Sequence, residues 1–351
     1  MRSLKIHIIQ LFYLLISGYA GFGQIFNSYP SETSSLDYNT VAHYVNGVTE
    51  GTTFTVRLEE LNNSRRYTVN IRCETNGYNS ALGTIPVDKA LIQVTNITSS
   101  ASNRPVTVLY SAGSNIPMPY GVQATSYNPV TGPGLMVHFQ SHSNQDNNDI
   151  ITITFRLKGI AGLAVAGNNT TNGQTYGTPT IRYDLWESNG GFTTYSRQAI
   201  SGSNHKIRFR IKDVLSFVVN NNATTVTVDP SSTGGEQVDV ANQFTIVSNE
   251  NVSMTVRASS ANLISTTNPS DLISSTVFGL KVYDLTNTAG NTIPANHVTL
   301  NGTSNVTLAS VIARYITNNI GISYKIVNVE PLAGKPPALY RTTLTFTVTQ
   351  L

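Results

Sequence analysis

The feature that most restricts the fold of this chain is an alternation of apolar and polar residues within positions 340–351. The large apolar side chains of one phase are Leu344, Phe346 and Val348, and the threonines of the other phase are Thr343, Thr345, Thr347 and Thr349. In a β-strand, successive side chains point to opposite faces, and threonine is favoured on a solvated face. The segment therefore predicts a half-buried β-strand whose apolar row faces a core.

Composition and turn spacing extend this prediction to the rest of the chain. Of its 351 residues, 12% are charged and 40% are hydrophobic, and Asn, Thr, Ser and Gly fill much of the remainder. These four residue types are poor helix formers and suit turns between short strands. The length is sufficient for two domains of ordinary size. We therefore expect an all-β protein with two Ig-like β-sandwich domains in tandem, residues 24–213 and 214–351.

One stretch of the second domain departs from the alternating pattern. Between residues 308 and 316, apolar side chains fall at helical spacing, and Asn318 and Asn319 could end a helix. Spacing of three and four residues gathers side chains on one face of a helix. The pattern allows one short helix at this position.

The first 23 residues predict a cleaved signal peptide that precedes the two domains. Arg2 and Lys5 form a basic start, an apolar run covers residues 8–16, and small residues lead up to Gly23. A cut after Ala20 is the alternative. We expect export to the cell surface, the periplasm or the extracellular space. No later apolar run is long enough for a transmembrane helix in the mature chain.

Charge argues against a polyanionic partner. Loss of Arg2 and Lys5 with the signal peptide lowers the formal net charge from +3 to +1, so the mature chain is nearly neutral. One basic row does stand out within residues 205–212, and it consists of Lys206, Arg208, Arg210 and Lys212. This row could dock an anionic polysaccharide or nucleic acid, or it could protect an edge strand from aggregation. We favour the edge strand and expect no nucleic-acid partner.

The chain carries no convincing catalytic motif. Cys73 is the only cysteine, so an intramolecular disulfide is excluded, and its phase with Val69 and Ile71 predicts a small buried side chain. Neither a nucleophile elbow, a zinc-protease motif nor a phosphate-binding loop occurs in the sequence. The acidic pair Asp184 and Glu187 leaves glycoside hydrolysis open as a distant alternative. We expect neither an enzyme nor a bound cofactor.

Two polar stretches carry residue types that can ligate metals. His138 and His142 could share a strand face, with Asp146 or Asp149 as a further zinc ligand. The oxygen-bearing side chains of residues 144–149 could bind Ca²⁺, although the glycine and final glutamate of an EF-hand are missing. Two ordinary polar strand positions and a hairpin turn explain the same residues. We therefore predict no metal site.

A run of aromatic residues favours a glycan site in the first domain. The run consists of Tyr176, Tyr183, Trp186, Phe192 and Tyr195. Tyr183 has the apolar phase of its strand, whereas Trp186 has the polar phase. An exposed aromatic ring beside polar groups can stack on a sugar and bind its hydroxyls. The candidate glycan-binding residues are Trp186, Arg182, Asp184 and Tyr195.

Two strand patterns in the second domain carry a family resemblance. Residues 244–256 contain a strand, the pair Ser248 and Asn249, and a second strand, and residues 334–349 contain a glycine, a tyrosine and the alternating threonine-rich strand. In these features, residues 214–351 resemble the β-sandwich subunits of bacterial surface fibres, of the fimbrial, spore-coat-U and WxL-like kinds. The resemblance implies an Ig-like sandwich that assembles with other subunits. The first domain carries no comparable resemblance.

These features together favour a surface structural or adhesive protein: a fibre subunit or an adhesin with an N-terminal partner-binding domain. Its expected partners are other copies of the chain or other subunits of a surface assembly, and glycans are a further candidate. A secreted carbohydrate-binding module is the first alternative. An outer-membrane β-barrel is the second, because alternating strands and low charge also suit that architecture.

Overall fold

The computed structural model describes residues 26–49, 51–121, 128–163, 165–177, 180–200, 205–221, 225 and 236–351. The predicted signal peptide lies outside these residues. Regular structure in this part of the chain is almost entirely β-strand, which confirms the prediction of an all-β protein. None of the helices found there is long and apolar enough to cross a membrane.

The chain divides into two compact units. Unit 1 consists of the described residues within Met1–Asp37, Val48–Ile160 and Thr175–Arg210. Unit 2 consists of those within Tyr38–Gly47, Ala161–Gln174 and Ile211–Leu351. The prediction of two contiguous domains did not foresee that two short segments before residue 211 belong to unit 2.

Two five-stranded antiparallel sheets form the main layers of unit 1. The strands that precede residue 212 are β1 (Phe26–Ser28), β2 (Thr33–Tyr38), β3 (Thr53–Leu58), β4 (Arg66–Cys73), β5 (Gly77–Ser80), β6 (Gly83–Pro86), β7 (Ala90–Ser99), β8 (Thr107–Ser111), β9 (Ile116–Pro117), β10 (Leu135–Gln140), β11 (Ile151–Gly159), β12 (Gln174–Tyr176), β13 (Ile181–Ser188), β14 (Tyr195–Ile200) and β15 (Lys206–Ile211). Sheet A has the order β1-β3-β11-β7-β9, and sheet B has the order β14-β13-β4-β10-β8. The remaining strands form a smaller sheet, β12-β15-β2, and the hairpin β5-β6.

Alternation decides which side chains form the core of unit 1. In β11 every second residue from Ile151 to Gly159 is buried, as the sequence pattern predicts. Phe155 of β11 stacks on Phe54 of β3, with 5.4 Å between ring centroids, and Tyr183 of β13 lies 6.4 Å from Phe155. Because these rings come from both sheets, sheets A and B pack face to face as a sandwich.

A polar group is enclosed in this core. His205 is fully buried, its Nε2 lies 2.9 Å from Ser34 Oγ, and its Nδ1 lies 2.5 Å from the Tyr183 hydroxyl. Hydrogen bonds of this kind offset the cost of burying an imidazole. A serine–histidine pair can serve nucleophilic catalysis, but Ser34 is only 7% exposed and His205 is not exposed at all. The pair is therefore part of the core.

The basic row of β15 does not mark an edge strand. β15 lies between β12 and β2 in its sheet. The Arg210 guanidinium donates to both carboxylate oxygens of Asp37, at 2.7 and 2.5 Å, and Arg208 donates to the Ser35 hydroxyl on the same neighbouring strand. The edge-strand prediction was wrong. The neighbouring strand β2 lies 173 residues earlier in the chain, so the local sequence pattern could not reveal that it pairs with β15.

Unit 2 is a second, less symmetric arrangement of two layers. Its elements are α1 (Val41–Asn46), β16 (Leu215–Val219), β17 (Gln237–Ser248), β18 (Val252–Ala258), β19 (Asn262–Ser265), β20 (Leu272–Ser274), β21 (Phe278–Leu285), β22 (Val298–Thr299), β23 (Val306–Ile312), β24 (Tyr315–Ile326), β25 (Tyr340–Arg341) and β26 (Leu344–Gln350). Sheet C has the order β16-β17-β24-β21-β22, and sheet D has the order β23-β18-β26. A small sheet, β20-β19-β25, extends this layer beyond β18 and β26.

The stretch expected to allow a helix in the second domain is strand. It forms the end of β23 and the beginning of β24. Pairing between β18 and β23 shifts register twice, between Val252 and Met254 and between Met254 and Thr255. An irregularity of this kind interrupts the period of two, because an extra residue is accommodated in one strand. The helix prediction was wrong because apolar residues spaced around such irregularities imitate helical spacing.

We expect the stability of unit 1 to fall as the pH falls toward 4. Burial lowers the pKa of His205 from 6.5 to about 4. Between these values the unfolded chain binds a proton at this position that the folded unit does not bind, so acidification should remove roughly 3 kcal/mol of stability. Urea unfolding from pH 7.5 to 4, followed by the fluorescence of the single tryptophan, measures the slope.

Two variants test whether His205 causes this dependence of unfolding free energy on pH. His205→Gln should lower the stability of unit 1 at neutral pH but should reduce its dependence on pH. His142→Gln, which changes a histidine outside the core, is the control variant. The same slope in His205→Gln and in the unchanged protein would contradict the assignment.

Candidate functional site

The polar side chains of β4 and β13 gather on the face of sheet B that is turned away from sheet A. On the opposite side of both strands, Val69 and Leu185 face one another in the core. The cross-strand pairs of the outer face are Arg72 with Arg182, Asn70 with Asp184, and Thr68 with Trp186. All four predicted glycan-binding residues belong to this outer face or to β14 at its edge. The sequence phase therefore predicted that Arg182, Asp184 and Trp186 share a face.

Trp186, however, is not available as an exposed ring. Only 5% of the residue is exposed, and the guanidinium of Arg197 lies 5.5 Å from its ring centroid. The two residues are cross-strand partners on β13 and β14. A cation over an indole face is a stabilising contact. The sequence therefore predicted correctly that Trp186 lies on the outer face of its strand. It did not predict that Arg197 of the neighbouring strand would cover the ring.

The Asp184 carboxylate is also engaged within the fold. It is fully buried and forms ion pairs with Arg72 at 3.0 Å and with Arg197 at 3.7 Å. Burial raises the pKa of the Asp184 carboxyl, and the Arg72 guanidinium opposes that shift. Arg182, the third predicted residue, forms an ion pair of 2.6 Å with Glu74. Glycan binding by these residues stays a prediction.

Tyr195, the fourth predicted residue, contacts a residue that lines a pocket. Its hydroxyl lies 3.0 Å from Nε2 of His138 on β10. His138 is the cross-strand partner of Tyr110 on the edge strand β8, and both residues line a pocket of about 390 Å³. Its other described walls are Ile116, Val130, Thr131, Gly132, Gly134 and Leu135. The sequence analysis missed this pocket because its walls come from three separate stretches of the chain.

A tightly held loop forms one wall of the pocket. Gly134 has a φ of +88°, and a Cβ at this position would lie 2.3 Å from the carbonyl oxygen of Ile71. The Ile71 N–H donates to the Gly134 carbonyl at 2.8 Å, and the Asn70 side-chain amide donates to the Pro129 carbonyl at 3.1 Å. Only glycine tolerates both this backbone conformation and this close approach. The loop is therefore fixed against β4.

The two stretches that carry metal-ligating residue types make contacts within the fold. His142 lies beyond the end of β10, and its Nδ1 accepts a hydrogen bond from the Asn144 N–H at 3.1 Å. The Asp149 carboxylate binds the Arg104 guanidinium through two contacts of 2.6 Å, and this hydrogen bonding lowers the pKa of Asp149. Within the described ranges, no three His, Cys, Asp or Glu residues are arranged to hold a metal ion.

Unit 2 presents a second candidate site, along the edges of its two layers. Sheet C has five strands and ends at β16, whereas sheet D has three and ends at β26. Among the described strands, β26 pairs only with β18, and β16 pairs only with β17. Within the described residues, the side of the sandwich between these two edges therefore carries backbone groups that no strand pairs. We call this region the edge groove of unit 2.

Apolar side chains continue the core into the edge groove. Those that are packed against the core but only partly buried are Leu215 and Phe217 of β16 and Leu344, Phe346 and Val348 of β26. The ring of Phe244 lies 5.1 Å from Phe217 and 4.6 Å from Phe346, so it joins the two edges. One end of the groove is closed by a hydrogen bond of 3.0 Å from the Gln350 side chain to the Val214 carbonyl.

The comparisons with known proteins do not identify a family. No family model matches the chain, and no curated protein matches it. Among solved structures, a chain of the CsuC–CsuE chaperone–tip adhesion subunit complex of Csu pili from Acinetobacter baumannii is similar with 11% identity and a TM-score of 0.31, covering 92% of this chain and 99% of that one. The CupB6 tip adhesin of Pseudomonas aeruginosa is similar with 11% identity and a TM-score of 0.26, covering 85% and 86%.

A third match belongs to a different functional class. The secreted serine protease VesC of Vibrio cholerae is similar with 9% identity and a TM-score of 0.17, and the match covers 93% of this chain and 51% of that one. Structures with TM-scores below 0.5 do not establish a common fold. The sites described above therefore have to be interpreted from their own geometry.

The buried ion pair of the outer face should matter far more for stability than the exposed one. Asp184→Ala should lower the free energy of unfolding of unit 1 by about 3–5 kcal/mol, because it removes a partner from the buried Arg72 guanidinium. Glu74→Ala, which removes the partner of the more exposed Arg182, should cost less than about 1 kcal/mol. Urea unfolding followed by Trp186 fluorescence measures both values. Equal losses in the two variants would contradict this ranking.

Proposed function

We propose that this chain is an exported surface structural or adhesive protein, a fibre subunit or adhesin, in which unit 2 joins an assembly and unit 1 binds a partner. The observation that carries the proposal is the edge groove of unit 2. Two sheet edges with unpaired backbone groups flank a row of half-buried apolar side chains. A sandwich with this open side is suited to accept a β-strand from another chain.

The chemistry of the groove defines the incoming segment. Backbone N–H and C=O groups along the free edge of β26 would pair with an extended segment of any sequence. Specificity would come from alternate side chains of that segment, which must be apolar to lie against Phe217 and Phe346. Burial of each half-exposed apolar side chain contributes roughly 1 kcal/mol, so several of them together favour a stable complex.

The threonine row of β26 is compatible with this role. Thr345, Thr347 and Thr349 are exposed on the opposite face of the strand, while the apolar residues between them are partly buried. The outer face therefore stays solvated when the edge is occupied, and the apolar face gains the contacts. The partner in this proposal is another copy of the chain or another subunit of a surface assembly.

Neighbouring residues of β16 provide a matched test of the groove. Val219 is 49% exposed and has the phase of Phe217, which faces the groove, whereas Val218 is 48% exposed and has the opposite phase. Val219→Lys should reduce the assembled fraction at least tenfold, because an incoming strand would bury an unpaired charge. Val218→Lys should leave assembly unchanged. The measurement is the share of chain in the high-mass fraction from the surface of producing cells.

A crosslinking experiment identifies the occupant of the groove. A photoreactive benzoylphenylalanine at position 219 should give a crosslink to a segment of a second chain, and the same group at position 218 should not. Mass spectrometry of the product names the segment. Equal crosslinking at both positions, no crosslink at position 219, or equal effects of the two lysine variants would contradict the proposal.

A further inference from the structure

The pocket beside Tyr110 and His138 has the size of a small-molecule site. Its volume of about 390 Å³ falls within the range of ligand pockets, at the end that suits a single ring. Unlike the outer face around Trp186, it is open to an incoming molecule. Tyr110 at its rim is 43% exposed and stands on the edge strand β8. A planar aromatic ring in this position offers a stacking surface.

The walls of the pocket select for an uncharged ligand. Ile116, Val130 and Leu135 supply apolar surface, and the described lining contains no Lys, Arg, Asp or Glu. A charged ligand would therefore lose hydration without meeting a charged side chain in the described walls themselves. Burial and the nearby positive charge of Arg66 lower the pKa of His138, which favours the neutral imidazole at physiological pH.

Several polar groups in the pocket are available for hydroxyl groups of a ligand. His138 uses one ring nitrogen for Tyr195, and within the described residues its other ring nitrogen has no hydrogen-bond partner. The hydroxyls of Tyr110 and Thr131 likewise make no hydrogen bond to any described residue. A neutral imidazole and two hydroxyls can each donate or accept. The arrangement matches a ring that carries several hydroxyl groups.

The site is also preorganised. The Tyr195 hydroxyl holds the orientation of the His138 ring, and the glycine-dependent contact of the loop with β4 holds another wall in place. A site that is ordered before binding avoids the entropic cost of ordering its side chains when the ligand arrives. These features distinguish the pocket from the outer face, where Trp186 and Asp184 are already engaged by Arg197.

We infer that this pocket binds one neutral, hydroxylated ring of a glycan, with Tyr110 stacking on the ring and His138 and Thr131 binding its hydroxyl groups. The inference rests on the proposed function, because it assigns the partner of unit 1 to a class of molecule and to a site. It places the sugar next to Tyr195, at the edge of the face that carries the residues predicted from the sequence.

Ligand-detected NMR with a panel of simple sugars tests the inference on the whole mature chain. The neutral probes are glucose, galactose, mannose, fucose and N-acetylglucosamine, and the charged probes are glucuronic acid and sialic acid. At least one neutral sugar should show saturation transfer and a saturable titration. Each charged sugar should bind at least tenfold more weakly than the best neutral one.

Variants assign the binding to this pocket. Tyr110→Ala and His138→Ala should each weaken binding of the best sugar at least tenfold, whereas Tyr110→Phe, which keeps the ring, should weaken it less. Tyr283→Ala removes a tyrosine of similar exposure, 40%, from unit 2 and should have no effect. Trp186 fluorescence establishes that each variant of unit 1 remains folded.

Three results would overturn the inference: binding of none of the neutral sugars, tighter binding of a charged sugar, or unchanged binding in a folded Tyr110→Ala variant. Failure of the proposed assembly is distinguishable from each of these. Val219→Lys lies in unit 2 and should leave sugar binding intact even where it abolishes assembly. Tyr110→Ala should leave assembly intact.

Discussion

The interaction on which unit 2 depends is the packing of a five-stranded sheet against a layer with only three long strands. Phe244 reaches from sheet C to Phe346 on β26, so the core extends to the last strand of sheet D. Because no described strand pairs with the outer side of β26, the core ends there in half-buried side chains rather than beneath another strand. The edge groove follows directly from this mismatch between the two layers.

In unit 1, by contrast, the two main sheets have equal numbers of strands. Each sheet has five strands, and aromatic rings from both, Phe54 and Tyr183, lie against His205. The outer face of sheet B carries buried charges that are compensated within the fold by Arg72 and Arg197. The pocket at Tyr110 is a place where described residues of unit 1 leave polar groups available to a ligand. The two proposals thus assign assembly to unit 2 and recognition to unit 1.

Period-two alternation was sufficient to predict the all-β class and the faces of individual strands, as β11 and β26 show. It was insufficient wherever the answer depended on the neighbouring strand. Alternation correctly predicted that Trp186 lies on the outer face of its strand. It could not predict that Arg197 of β14 lies over the ring. The partner of Arg210 lies 173 residues away, and the walls of the pocket come from separate segments. Strand order cannot be read from local spacing, so neither the groove nor the pocket could be predicted.

Amide hydrogen exchange along β26 tests the central claim most directly. A strand paired on one side only has backbone N–H groups that water can reach. In the isolated chain, we expect alternate amides of Leu344–Gln350 to exchange quickly while those of β24, paired on both sides, are protected. In the assembled material, the same amides of β26 should become protected. Equal protection of β26 in the isolated and assembled states would contradict the claim that its free edge receives a strand.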